Sequence, residues 1–554
     1  MSIIDRIASQ QKWTLTFLAL LSAFFFIGLG QFHLFDWDEI NFAESAREMI
    51  ESNDYLRVQI NYLPFWEKPP FFFWLQVGAM KLFGVNEYAA RFPNALFGAI
   101  YLFTFYFIGK RHFSAKFGFI WALVFFASLL PHIYFKSGII DPVFNFFIFL
   151  SVYFMIRVMA KDGSSIWKLA LFSGLFSGLS VLTKGPVGFL LLGLTLVVYL
   201  IYKRFKVFPS LKGILFFFLG FVGIISCWIA MEVSQNGWAI LEQFIQYQAE
   251  LFNSPVAGHE QPFYYHFMVV GLGCFPMSVF ALPLFFQKTD ATILDLRRWM
   301  LSLFWVVLIL FSISTTKIIH YSSMTYVPLS FLAALSIYRA LLGELIYKKY
   351  LRIVFISIGG LISLALLVFP ILLMEKSWLI SITKDPFAAK LIEYSPKWGM
   401  IDLAGGVIFI TGFIFSLIYF KRKEYGKTIF ALAIGVACSL LVLLYTAMPK
   451  VDQMTQGDAI ALYQELEDED CYVETLRKSY AHYFYVKTKP NNRTKEQNEE
   501  WMLRGEIDKP VYFVTRFDQD FLDGIGGFEV VKERGAFKLY RRMPLKKDQS
   551  SLPE

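Results

Sequence analysis

The sequence predicts a polytopic α-helical membrane protein with a small α/β domain at its C-terminal end. Three observations carry this. The 554-residue chain is 56% hydrophobic and only 17% charged, with a mean hydropathy of +0.50; soluble domains carry about 25% charged residues. Its apolar runs recur at lengths near the ~20 residues that cross a ~30 Å hydrocarbon core as a helix. The connections between the runs alternate in charge, every second one being basic, as cytoplasmic loops are. The formal charge of +8 is accounted for by those loops and calls for no nucleic-acid partner.

Apolar spans fall near 13–32, 88–109, 117–134, 140–159, 167–182, 186–202, 212–231, 264–286, 299–315, 322–342, 351–374, 402–420 and 428–447, thirteen in all. The run 71–83 is too short to cross and suits an interfacial helix. Arg6 and Lys12 precede the first run, and no small-residue cleavage site follows it, so it reads as a retained signal anchor. One set of connections carries Lys110, Arg111 and Lys116, then Arg157 and Lys161, then Lys203, Arg204 and Lys206. It continues with Arg297 and Arg298, Arg339 and Lys348, and Lys421 to Lys423. Those face the cytoplasm under the positive-inside rule. The outer loops 33–87 and 232–263 and everything after Ala447 then lie on the other side, the periplasmic side of a bacterial inner membrane. The chain divides into a membrane domain, 1–447, and an outer domain, 448–554.

Cys227, Cys274 and Cys438 sit inside apolar runs and Cys471 stands alone in the polar tail, so no disulfide framework is expected. The tail turns charged and holds short strand-like runs at Val511–Thr515, Phe528–Val531 and Phe537–Tyr540, with a helix over Gln456–Leu466. The chain has no phosphate loop and no dinucleotide fingerprint, which argues against transport driven by ATP hydrolysis.

The outer loops hold the chemistry. Asp36-Trp37-Asp38-Glu39 opens a segment in which Phe42, Ala46 and Met49 form an apolar stripe, with Glu44, Arg47 and Glu51 on another face. This predicts an amphipathic helix in the membrane interface. Asp38 fits either an N-cap or a carboxylate that takes a proton or orients an acceptor; Asp36 and Glu39 beside it exceed what a cap needs. In Glu67-Lys68-Pro69-Pro70 the prolines stiffen the backbone. Lys68 there suits either a phosphate contact or a snorkelling ion pair with its neighbour. Asp141-Pro142 fits a helix start or a working carboxylate equally. Lys184, in Leu182-Thr183-Lys184-Gly185-Pro186, is a lone cation on the side poor in positive charge and suits an anion. Gly258-His259-Glu260-Gln261-Pro262-Phe263-Tyr264-Tyr265-His266 supplies imidazoles; a lone histidine is usually structural, but one imidazole and an outer carboxylate such as Glu67 can share a divalent metal. Lys317, His320 and Tyr321 share one face if their helix continues, a grip for phosphate against the plainer reading of a polar helix end. Cations beside carboxylates at one membrane face fit a phosphate-bearing lipid donor and an acceptor that must be positioned or deprotonated.

At these residues the sequence resembles the integral-membrane C-type (GT-C) glycosyltransferases, and within them the lipid A aminoarabinose transferases and protein O-mannosyltransferases. The matching stretches are Asp38-Glu39…Ala43-Glu44…Arg47-Glu48-Met49, Phe65…Glu67-Lys68-Pro69-Pro70…Trp74 and Asn86-Glu87…Ala89-Ala90-Arg91. Asp141-Pro142, Leu182–Pro186, His259…Tyr265 and Lys317…His320-Tyr321 follow, in family order over roughly residues 10–340. The resemblance implies thirteen membrane helices, interfacial helices after the first, an outer soluble domain and a polyprenyl-phosphate sugar donor used without a nucleotide. The acceptor would be a lipid (lipid A-like), a glycan or a protein. By position it makes Asp38 the principal catalytic acid residue, with Glu39 beside it, and Asp141 a second near the acceptor. Lys68, Lys184, His320 and Tyr321 hold donor phosphate, with Lys317 alongside, and Glu67 and His259 match a divalent-metal site for Zn or Mg/Mn. One departure stands out: aminoarabinose transferases typically carry Arg-Tyr where this chain has Asn41-Phe42, which removes a bidentate phosphate contact and leaves the acceptor open. A lipid or lipid-oligosaccharide flippase is the competing reading. It expects charged groups near the midplane, whereas these lie at one face. A membrane scaffold leaves the lysine and carboxylate clusters unexplained.

Overall fold

A computed structural model describes residues 3–163, 165–238, 242–247, 261–287, 295–314, 316–490 and 498–544. Every predicted apolar segment is helical, but thirteen uninterrupted crossings are not what the described residues form. Nine helices are long and apolar enough to cross singly, and a tenth crossing is a pair, Tyr265–Gly273 and Met277–Phe286, bent by 115°. Pro276, which has no N–H to offer the preceding turn, sits at that break. Gln11–Phe26 and Val187–Tyr202 have 16 residues each and Ala115–Phe126 has 12, so the last rises only ~18 Å at 1.5 Å per residue. It stops at Ala127, and the chain restarts as Leu129–Tyr134 with Pro131 in its first turn. The expected interfacial helix forms over Phe71–Phe83.

Small residues set the closest helix contacts. A Cβ on Gly118 would lie 2.3 Å from the Tyr106 carbonyl oxygen, so Glu87–His112 and Ala115–Phe126 meet backbone to backbone. At the basic end of the bundle the loop cations are neutralised locally. Lys116 pairs with Asp5 at 2.8 Å, Arg157 with Asp162 at 2.8 Å, and Arg298 with Asp295 at 2.9 Å.

The opening-loop helix spans Asp38–Ser52 and closes at Asn53 in the left-handed region, φ 55°. It does not lie exposed in an interface: every residue from Glu39 to Met49 is buried. Its polar face is covered because partners satisfy it. Arg47 makes a two-pronged pair with Glu44 at 2.8 and 2.7 Å and donates to the Thr488 carbonyl at 2.9 Å. Glu48 accepts the backbone N–H groups of Asn61 and Tyr62, in the hairpin β1 (Gln59–Ile60) and β2 (Leu63–Pro64). Burial, and then the neighbouring Glu44, push the Glu48 carboxyl well above the ordinary carboxylate range. The folded chain therefore keeps a proton that the unfolded chain gives up above that range, so stability falls as pH rises through it toward the raised value. Glu48→Gln is expected to remove that fall: melting curves in detergent should separate from wild type at pH 8.5 and converge near pH 5. A wild-type melting temperature equal at the two pH values, matched by the variant, would refute this.

The C-terminal domain carries a four-stranded sheet of β3 (Tyr472–Thr475), β4 (Val511–Arg516), β5 (Phe528–Arg534) and β6 (Phe537–Arg542), in the order β3-β4-β6-β5. The β3–β4 pair is parallel and the others antiparallel. The expected helix appears as a π turn over Gln453–Gly457 running into Asp458–Gln464. This domain grips the opening loop. Asp452 accepts the backbone N–H of His33 at 3.2 Å and lies 2.8 Å from its Nδ1, while Gln456 donates to the Leu34 carbonyl at 2.8 Å. The Tyr485 hydroxyl takes the Leu34 N–H at 2.8 Å, and the Tyr62 hydroxyl donates to the Thr488 carbonyl at 2.7 Å. The Tyr480 ring meets Trp37 edge to face at 5.0 Å, one residue before Asp38.

Candidate active site

Four side chains from four segments converge beside that loop. Asp38 is the first residue of its helix and Trp37 holds the N-cap position, so Asp38 is not the cap. Its Oδ2 lies 3.3 Å from His320 Nε2. The same nitrogen is 3.9 Å from Oδ2 of Asp141, and Asp141 Oδ1 accepts from Lys184 Nζ at 2.6 Å. Asp141 also starts a helix, Asp141–Met159, without capping it. Lys184 is the last residue of Ile166–Lys184, where Gly185 at φ 96° and Pro186 end the helix and leave the ammonium at its mouth. His320 rides on a 3-10 turn, Ile319–Thr325, leading into Tyr326–Leu341.

Burial distinguishes the two carboxylates. The Asp141 side chain is 3% exposed and that of Asp38 is 31% exposed. A carboxylate as deep as Asp141 needs a compensating cation, and Lys184 supplies it; the ammonium also stands 5.3 Å from the Tyr321 ring centroid. Among the described residues Oδ2 of Asp141 is buried without a hydrogen-bond partner, an acceptor with room for a donor. Asp38 is the carboxylate a substrate can reach.

The other predicted residues scatter. Glu39 is not part of the reacting cluster: Arg91 binds it at 3.1 and 2.9 Å, and it accepts the N–H groups of Phe35 and Gly138. Burial alone would raise its carboxyl, but the Arg91 charge and these bonds hold it below the ordinary range. Arg91 spends its remaining donors on the carbonyls of Leu29, Phe32 and His33, fixing the entry to the loop. Lys317 does not share a helix face with His320 and Tyr321, because the helix ends at Ile313; its Nζ donates to the Ser314 carbonyl at 2.6 Å. Tyr321 is beside the cluster through Lys184. Lys68 lies 3.5 Å from Glu67 and lines a cleft with Arg57, Trp66, Trp228 and Glu232; its charge reaches His320. His259 lies outside the described residues. Among the described residues no three His, Cys, Asp or Glu side chains converge, and Glu67 has an ammonium neighbour where a metal needs a further ligand.

Sequence reasoning missed Arg91 as the partner of Glu39, although an arginine four residues into an apolar helix had to be paired. It also missed His33, Asp452, Gln456 and Tyr485, whose pairing crosses the whole chain and leaves no local signal.

Residues 67–229 match the family described as dolichyl-phosphate-mannose-protein mannosyltransferase. The chain is 28% identical over 374 residues to an uncharacterized protein of Aquifex aeolicus, covering 66% of this chain and 80% of that one. It is 26% identical over 373 residues to the undecaprenyl phosphate-alpha-4-amino-4-deoxy-L-arabinose arabinosyl transferase of Wigglesworthia glossinidia brevipalpis, covering 66% of this chain and 65% of that one. The structure superposes on ArnT from Cupriavidus metallidurans, crystallised with undecaprenyl phosphate, with a TM-score of 0.74 at 18% identity, covering 96% and 98% of the two chains. At that identity the likeness is one of fold.

Proposed function

We propose that the chain, which is similar to membrane glycosyltransferases of the aminoarabinose-transferase and mannosyltransferase group, moves a sugar from polyprenyl phosphate to an oxygen of a lipid-borne acceptor. The transfer takes place at the periplasmic face of a bacterial inner membrane. The observation that carries this reading is the pairing of a reachable carboxylate, Asp38, with a buried carboxylate–ammonium pair, Asp141–Lys184, through one imidazole.

The acceptor oxygen attacks the sugar C1, the bond from C1 to the phosphate oxygen breaks, and polyprenyl phosphate leaves with the bonding electrons. A single displacement inverts the anomeric centre. Asp38 takes the proton of a hydroxyl acceptor, or orients an acceptor already ionised. His320 holds the Asp38 carboxylate in place. Asp141 Oδ2 accepts a hydrogen bond from the incoming acceptor. Lys68 and Lys184 oppose the charge that grows on the departing phosphate. Buried Asn41 carries no charge where aminoarabinose transferases place an arginine, which favours an acceptor without a phosphate at that point.

Mass spectrometry of envelope lipids and protein glycans from cells with and without the chain tests this. A sugar mass present on a lipid only when the chain is present is the expected result. Identical lipid and glycan profiles would overturn the reading, and a difference confined to protein would replace the acceptor.

A further inference from the structure

His266 is fully buried, and among the described residues neither ring nitrogen has a hydrogen-bond partner. A neutral imidazole carries one donor and one acceptor, and burying both unmade is a cost that leucine or phenylalanine would avoid there. The residue sits in the first turn of Tyr265–Gly273, which packs against the 3-10 turn bearing His320 and Tyr321. Among the described residues the charges of Lys317 and His320, both basic, act on its ring. A site of that composition is made for an anion. On the outward side of the same helix start, Phe263, Tyr264, Phe267 and Met268 are exposed, an apolar flank along which a polyprenyl tail can lie while its phosphate turns inward.

We propose that His266 is a donor-phosphate ligand, one of its ring N–H groups hydrogen-bonding a phosphoryl oxygen of polyprenyl phosphate beside His320. This rests on the donor class proposed above and adds a residue to it. It gives the buried imidazole its missing partner and divides the labour at the site. His320 serves the two carboxylates and His266 serves the phosphate.

The test is titration of the full-length protein in detergent micelles with undecaprenyl phosphate, and with undecaprenol as the phosphate-free control. Wild type is expected to bind the phosphate far more tightly than the alcohol. His266→Phe should weaken phosphate binding about tenfold or more, as loss of a hydrogen bond to a charged group does, while melting at or above the wild-type temperature. His266→Gln, which keeps one N–H donor, should recover part of the loss. His266→Met serves as a second apolar variant should the larger ring prevent folding. Undiminished phosphate affinity in either folded apolar variant overturns the role of His266 and leaves the donor reading standing. Equal wild-type affinity for the phosphate and the alcohol overturns both.

Discussion

Asp38→Asn will cut sugar transfer by about 10²–10⁴-fold, the range in which a positioned general base contributes. The change keeps the size of the side chain and removes only its ability to hold a proton. The fold leans little on that side chain: Trp37, not Asp38, holds the N-cap position, and Asp38 meets the His320 imidazole at 3.3 Å. The variant should therefore melt at the wild-type temperature and bind undecaprenyl phosphate with wild-type affinity, so that the loss falls on turnover. Initial rates with a labelled donor, beside melting curves and a binding titration, separate these quantities. A variant with wild-type turnover would take Asp38 out of the mechanism and leave Asp141 as the remaining carboxylate at His320.

Arg91→Met should have the largest effect on stability. The guanidinium is fully buried and makes five hydrogen bonds, to Glu39 and to the carbonyls of Leu29, Phe32 and His33. Removing it strands the buried Glu39 carboxylate, and breaking such a pair from one side costs ~3–5 kcal/mol. The expected outcome is a large drop in melting temperature, or loss of monodisperse protein on extraction. Adding Glu39→Met to Arg91→Met should recover part of that loss, because no uncompensated charge is left behind. A double variant less stable than Arg91→Met alone would show that Arg91 acts chiefly through the loop carbonyls.

Much of the site was legible because charge bordering apolar helices is costly and must be paired or used. Asp38, Asp141, Lys184 and His320 stand out in the sequence on that ground, and the structure brings all four together. Their partners were not legible. Glu39 looks as reactive as Asp38 until Arg91, 52 residues on, is found holding it. Lys317 follows the plainer of its two readings, a polar helix end, because the helix stops at Ile313 just before Ser314. In the C-terminal domain, β4, β5 and β6 announce themselves by apolar and aromatic runs. The strand Tyr472–Thr475 was missed because Glu474 interrupts its apolar pattern and acidic residues precede it. The opening helix read as amphipathic because its polar face is real; what the sequence cannot display is that Thr488 and the β1–β2 hairpin come down to cover it.

The grip of the C-terminal domain on the opening loop also has a temporal side. The Leu34 N–H waits for the Tyr485 hydroxyl across 451 residues of chain. At ~5–20 residues per second of synthesis, that is a delay of roughly 25–90 s during which the loop has been made and its fastening has not. A nascent chain arrested before that point already contains Asp38, Asp141, Lys184 and His320, yet lacks what fastens the loop before Asp38. The loop is therefore fastened only after the segment carrying Tyr485 has been made.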